Sequence, residues 1–549
     1  MLTYSKIIVA SILISVFTMS CTQKKKADLI IANAKIYSVD NEFAIHQSMA
    51  IENGQIVGIG SDNEIQTQFS AQETIDLQGK PVYPGFIDPH SHFLGYGLGL
   101  SQAWLAGASS WNEVVERLID HHSQFQTHWV IGRGWNQNEW EVKEFPTKEL
   151  LDKAFPNNPV LLTRIDGHAA IANTKALQMA NFSPDTTIAG GQLVVKNDEL
   201  TGVLIDNAIN LVRNIIPTQT KQGKQEALLL AQQNCFAVGL TSVNDAGLDK
   251  EDVLIIDEMQ KRGELQMKVN VMLNPTEDNY EHFLSNGVYV TPSLTVRTVK
   301  LFADGALGSR GALLLEPYSD DPSTKGLQLE ATEKLTEVCQ KAFDAGYQVA
   351  THCIGDAAVK LMLDVYEQFL TPQNDLRWRI EHAQTIHPND LSRFGQLAVV
   401  PSVQTTHATS DMFWAANRLG ERIKTAYIYN DLLKQNGWLP NGSDFPIEHI
   451  NPLYGFYAGV VRKNLSGNPP NGFQMENALT REQALRAMTI WAAKAAFEED
   501  IKGSLEVGKA ADFVVLATDI MTAQEHELPN IQVERTYVNG KIVYLDHKQ

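Results

Sequence analysis

Two histidines two residues apart, His90 and His92, close the run Pro84-Gly85-Phe86-Ile87-Asp88-Pro89-His90-Ser91-His92. On an extended backbone, side chains at this spacing point to the same side. Both imidazoles can therefore face one divalent metal ion from a strand end, and neutral imidazole is the commonest protein ligand for such an ion. Other metal-ligating side chains end further apolar runs: Lys300 within Thr298-Val299-Lys300-Leu301-Phe302-Ala303-Asp304-Gly305, His352 within Ala350-Thr351-His352-Cys353, His382 within Arg379-Ile380-Glu381-His382, and Asp444 within Asn441-Gly442-Ser443-Asp444. Each has a plainer reading. A strand-end histidine can be a polar cap, a lysine can point to solvent between helices, and an aspartate after Gly-Ser can cap a helix. Lys300, however, lies in an apolar strand, where an unpaired ammonium is costly. Asp88 shares the parity of the two histidines and is expected to support them from behind.

Strand-like runs at residues 82–87, 241–243, 267–271, 299–302, 348–351, 378–380, 398–400 and 438–439 alternate with helical runs such as 333–345, 357–369 and 481–496. Eight strands alternating with helices predict an α/β fold, a (β/α)8 TIM barrel, with its chemistry where strands end and loops begin. The gap after the first strand is too long for one helix, so residues from about 104 to 225 are expected to form an insertion above the barrel mouth. Short strands fill residues 28–80, where Asn53-Gly54 signals a tight hairpin, and the C-terminus repeats the style with 512–516 and an Asn539-Gly540 hairpin. One small β-sandwich built from residues 28–82 and 500–549 would then flank a barrel spanning 83–499.

At 549 residues, with 44% hydrophobic and 20% charged side chains, the chain has an ordinary globular balance. A net charge of −19 argues against a nucleic-acid partner. At the N-terminus, Lys6 precedes an apolar run over residues 7–17, and Ser20-Cys21 follows. This resembles a bacterial lipoprotein signal over residues 1–20, with Cys21 lipidated and 21–27 as a tether. The expectation is an exported lipoprotein held to a membrane only by its N-terminal lipid. The three remaining cysteines, Cys235, Cys339 and Cys353, form no CxxC pair, which argues against a disulfide framework.

Further motifs stand in order along the chain. They are Trp129-Val130-Ile131-Gly132-Arg133-Gly134-Trp135, Arg164-Ile165-Asp166-Gly167-His168, the Lys300–Gly305 stretch and Gly503-Ser504-Leu505-Glu506-Val507-Gly508-Lys509-Ala510-Ala511-Asp512. With the strand-end ligands, they make the chain from about residue 28 to 545 resemble the amidohydrolase superfamily. The closest branch is amidohydrolase-3, the group of YtcJ-like proteins and N-substituted formamide deformylases. The resemblance implies one or two divalent metals, zinc foremost. His90, His92 and Asp444 would hold the more buried ion, His352 and His382 the second, and Lys300 would bridge them as an N6-carboxylated lysine. It also allows a homodimer.

The implied reaction is hydrolysis of a non-peptide carbon–nitrogen bond in a small amide-type molecule. Bound metal lowers the pKa of water from ~15.7 towards ~7, and the resulting hydroxide attacks a carbonyl carbon. Asp444 would take the water proton and deliver it to the leaving nitrogen. Trp135, Arg164, His168 and His407 are the expected substrate contacts, with Trp135 and Trp140 equally suited to core packing. Two other readings stay open: a deaminase or cyclic-amide hydrolase of the same superfamily, and a non-catalytic binding lipoprotein on the cell surface.

Overall fold

A computed structural model describes residues 24–100, 102–188, 190–217 and 219–546. The segment expected to be a lipoprotein signal, residues 1–20, and Cys21 lie outside the described residues. The expected tether overlaps structure, because Lys25–Ala32 is already a β-strand. No helix of the described residues is long and apolar enough to cross a membrane.

The chain folds as a TIM barrel. Seven parallel strands follow one another in sequence and in space: Phe86–Ser91, Leu240–Leu248, Lys268–Leu273, Leu294–Phe302, Gln348–Cys353, Arg379–His382 and Val400–Ser402. Their alternation sorts side chains. Val243, Val269, Val271, Val296, Val299 and Val349 join the main apolar core beneath the helices, while Asn244, Asn270, Lys300, Arg379 and Glu381 are buried polar residues of the opposite parity.

The eighth strand expected at 438–439 is absent, and residues 440–445 close the barrel without regular pairing. Val403 N–H donates to Pro440 O at 3.0 Å and Gly442 N–H to Val403 O at 2.9 Å on one side. On the other, Asp444 N–H donates to His90 O and His92 N–H to Phe445 O, both at 2.8 Å. The reason is local: Pro440 has no N–H to give, and Asp444 adopts φ 60°.

The run read as one strand from 82 to 87 is two. Pro81–Pro84 pairs with Phe513–Leu516 and Lys35–Tyr37 in a small sheet, whereas Phe86–Ser91 enters the barrel. Gly85 is the joint, since a Cβ there would lie 2.3 Å from the Thr241 hydroxyl. The small domain is a pair of sheets. One is wholly N-terminal, in the order Gln55–Gly60, Ser48–Glu52, Lys25–Ala32, Phe69–Asp76. The other takes three strands from each end of the chain, in the order Lys541–Leu545, Val533–Val538, Phe513–Leu516, Pro81–Pro84, Lys35–Tyr37, Ile45–His46. Leu29, Ile31, Ile36, Met49, Val82, Phe513 and Val515 fill the space between them. Both Asn-Gly pairs sit at positive φ in hairpins: 51° and 79° at Asn53 and Gly54, 48° and 70° at Asn539 and Gly540.

The insertion is a six-stranded sheet between Ala103–Trp104 and Glu199–Asp206. It ends earlier than residue 225. Helix Lys221–Ala237 belongs to the barrel layer and lies so close to helix Phe93–Gly99 that a Cβ on Gly97 would stand 2.3 Å from Ala227 O. The helical run 481–496 is likewise two helices, Arg481–Ala487 and Ile490–Ala495, broken at Thr489.

Candidate active site

His90 lies in the first barrel strand and His92 caps the helix that follows. The Nδ1 of His90 donates to Glu381 Oε2, and Glu381 is itself held by the guanidinium of Arg379. This fixes the tautomer and leaves Nε2 as the acceptor turned into the barrel, the arrangement by which a carboxylate orients a metal-binding histidine. That Nε2 is buried without a hydrogen bond and stands 3.4 Å from Asp444 Oδ1. His92 Nε2 reaches the same oxygen at 3.1 Å.

Asp444 owes its position to the closing segment. Asp88 accepts from Ser443 N–H and, at 2.6 Å, from Ser443 Oγ, and it also accepts from His90 N–H at 3.1 Å. Asp88 thus supports the Asp444 loop and the strand end rather than the imidazoles. The contact leaves no room at Gly442, where a Cβ would lie 2.7 Å from Asp88 Oδ1 and 2.9 Å from His90 N. Gly442→Ala is therefore expected to cost about 1–3 kcal/mol of stability by overpacking. It should lower kcat by shifting Asp444, both checked by thermal unfolding alongside kinetics. A variant matching the parent in both would disprove the tight fit.

His382 ends the sixth strand at φ 71°, with Nδ1 donating to Gln404 Oε1 at 2.6 Å. Its ring centroid is 4.9 Å from His90 and 4.5 Å from His352. One ligand atom each from His90, His382 and Asp444 falls within a 4.8 Å group. The expected division gives His352 and His382 to the second ion, and His382 also lies beside His90. His382 packs between His90 and His352 and faces both.

Lys300 Nζ is buried without a hydrogen-bond partner and lies 4.4 Å from the centroid of the Phe302 ring. His352 Nε2 is buried and likewise lacks a hydrogen bond, 3.7 Å from Asp304 Oδ1. Burial holds the imidazoles of His90, His352 and His382 and the ammonium of Lys300 below their ordinary ranges. Burial pushes Asp444 upward, but the His92 hydrogen bond and the fields of His90, His92 and His382 outweigh it and hold the carboxyl well below its usual range. Neutral imidazoles beside an ionised carboxylate are the protonation states a divalent cation requires. The orphaned Nε2 atoms of His90 and His352 and the orphaned Nζ of Lys300, together with the Asp444 carboxylate, therefore fit a metal centre.

The weaker expectations divide. His407, on helix Thr405–Asp411, stacks on His382 with centroids 5.7 Å apart and places Nε2 4.0 Å from Asp444 Oδ2. His168 bonds Asp206 Oδ1 at 2.9 Å, and its Cε1 would stand 3.3 Å from a Cβ on Gly305, so the insertion reaches the barrel mouth there. Trp135 is no substrate contact: it is fully buried in the insertion's core and its Nε1 donates to Leu162 O. Arg164 is not free either, being spent on Gln137, Asp166 and Asn136. Glu381, Arg379 and Gln404, which position the histidines, were not expected. The alternation Arg379-x-Glu381 in a barrel strand was the available sign, since two charges of inward parity must pair.

The family model described as the amidohydrolase family matches residues 73–544. The chain belongs to the amidohydrolase family. It is 33% identical to the putative amidohydrolase YtcJ of Bacillus subtilis, over 93% of this chain and 98% of that one. It is 27% identical to the N-substituted formamide deformylase of Arthrobacter pascens, over 94% and 98%. Among solved structures, an uncharacterized metal-dependent hydrolase from Pyrococcus horikoshii aligns with TM-score 0.76 at 30% identity, over 90% of this chain and 99% of that one.

Proposed function

We propose that this amidohydrolase cleaves a non-peptide carbon–nitrogen bond, of the amide type, in a small molecule. The observation that carries the reading is the buried group of His90, His382 and Asp444 donor atoms within 4.8 Å, beside a Lys300 amine with no partner of its own. Kinship with a formamide deformylase supports the bond type.

When bound, a divalent metal, zinc in this proposal, supplies Lewis acidity towards water and towards a carbonyl oxygen. His90, His92, His352, His382 and Asp444 would hold it. Lys300 would join them as a carbamate, formed when its ammonium gives up one proton and the freed amine nitrogen bonds to the carbon of carbon dioxide and gives up a second, which turns a cation into an anion. Asp444 turns Oδ1 to His90 and His92. Its Oδ2 accepts the proton of the attacking water and passes it to the departing nitrogen. Glu381 keeps the His90 ring from rotating, and Gln404 does the same for His382.

Purified residues 22–549 are expected to contain about two zinc ions per chain, as a two-metal site requires. The protein should hydrolyse members of a panel of N-acyl amino acids, N-substituted formamides and cyclic imides. Stripping the metal with a chelator should abolish turnover, and zinc should restore it. Hydrolysis that survives metal removal would overturn the proposal.

We also propose that Cys21 is the lipid attachment site of an exported protein. Cys21→Ala, produced in a bacterial host, is expected to lose palmitate label and leave the membrane fraction. Unchanged labelling would refute the assignment.

A further inference from the structure

Arg133 lies at the C-terminal end of the insertion strand Val130–Trp135. Trp129 and Ile131 share its face by alternation, and there they pack with Ile209 and Val212 of helix Asn207–Arg213. The side chain of Arg133 thus continues that face beyond the apolar patch, beside the last turn of the helix that ends in Arg213. Its Nε is buried with no partner, and its Nη2 has only a 3.4 Å bond to Ile165 O. Arg213 has only a 3.4 Å bond to Asn210 within its own helix. Among the described residues, no carboxylate forms an ion pair with either guanidinium, whereas neighbouring Arg164 is paired to Asp166 at 2.7 Å.

The place matters as much as the missing partner. Ile165 begins the turn that leads to His168, and His168 abuts Gly305, next to Asp304 and His352. Arg133 therefore stands where the insertion meets the barrel mouth. Burial and the charge of Arg213 push its guanidinium below the usual range, while Asp444 and Asp166 pull it up. Arg213 is exposed and its donors meet water, whereas Arg133 keeps a buried Nε that a bidentate anion would satisfy, with the charge of Arg213 adding to the attraction.

We propose that the substrate carries a carboxylate, that Arg133 binds it with Arg213 at the rim, and that the substrate class is therefore N-acylated or N-formylated amino acids. This rests on the amidohydrolase reading, with the amide at the His90–Asp444 group and the carboxylate at the insertion wall.

The test uses zinc-loaded full-length protein and matched pairs, N-formyl and N-acetyl amino acids against the corresponding amino-acid amides, over a range of side chains. Turnover is followed by kcat/KM and binding by calorimetry. The parent is expected to prefer the carboxylate member. Arg133→Gln should reduce that preference by about 10- to 100-fold, the worth of a hydrogen bond to a charged group, acting chiefly through KM. Arg133→Lys should restore part of it. Carboxylate-selective binding without turnover in the parent would sink the amidohydrolase reading and keep this one. Turnover with no carboxylate preference, or a preference that Arg133→Gln leaves intact, would overturn this proposal and keep the other. A parent that neither binds nor turns over any member of the panel overturns this proposal too.

Discussion

Asp444→Asn is expected to lower kcat by about 10²- to 10⁴-fold, the range assigned to a positioned proton carrier, while the protein keeps its fold and its metal. Asparagine matches aspartate in size and is among the few residues that tolerate the φ of 60° found here. The backbone ties of the segment, from Asp444 N–H to His90 O and from Gly442 N–H to Val403 O, do not involve the side chain. An amide oxygen can still coordinate, but the group cannot take up a proton at neutral pH. Elemental analysis and thermal unfolding, run beside the kinetics, separate a lost proton path from a lost metal or a lost fold. A variant that turns over at the parental rate would show that another group moves the proton.

Arg379→Met is expected to destabilise the protein by about 3–5 kcal/mol, because it strands a charge inside the barrel. Arg379 and Glu381 are both essentially inaccessible to solvent. The guanidinium also donates to Pro89 O and, at 2.9 Å, to Ser402 Oγ, so one side chain ties the first, sixth and seventh barrel strands. Removing it leaves the Glu381 carboxylate, which His90 alone cannot neutralise. Adding Glu381→Leu should return much of the loss, since replacing a buried pair by apolar side chains is far cheaper than breaking it. Urea unfolding followed by tryptophan fluorescence reads both changes. A single variant as stable as the parent would mean that water reaches the pair.

What the sequence disclosed depended on how each element announces itself. The strands from Leu240 onward were legible because runs of valine and leucine stand between helical stretches, and the candidate ligands stood out because they end those runs. The closing segment was not, since Pro440, Gly442 and a left-handed Asp444 have no strand signature and its order comes from contacts with His90 and Val403. Gly85 hid a change of sheet inside an apolar run, because only the neighbouring Thr241 shows that a side chain cannot fit there. Trp135 drew attention as an aromatic near the mouth, yet it fills the insertion's own core. Arg133, inside the same motif, had no feature to set it apart until its missing partner could be seen.

The sheet that receives Pro81–Pro84 draws half its strands from the far end of the polypeptide. During synthesis, Pro81–Pro84 emerges long before its neighbour Phe513–Leu516 leaves the ribosome, so the anchor of the first catalytic strand is the last part of the molecule to be completed. A chain cut short after the barrel would leave that strand as an open edge, ready to add to another chain. Only a copy that includes Phe513–Leu516 can bury it, so a product truncated before that strand keeps the edge open.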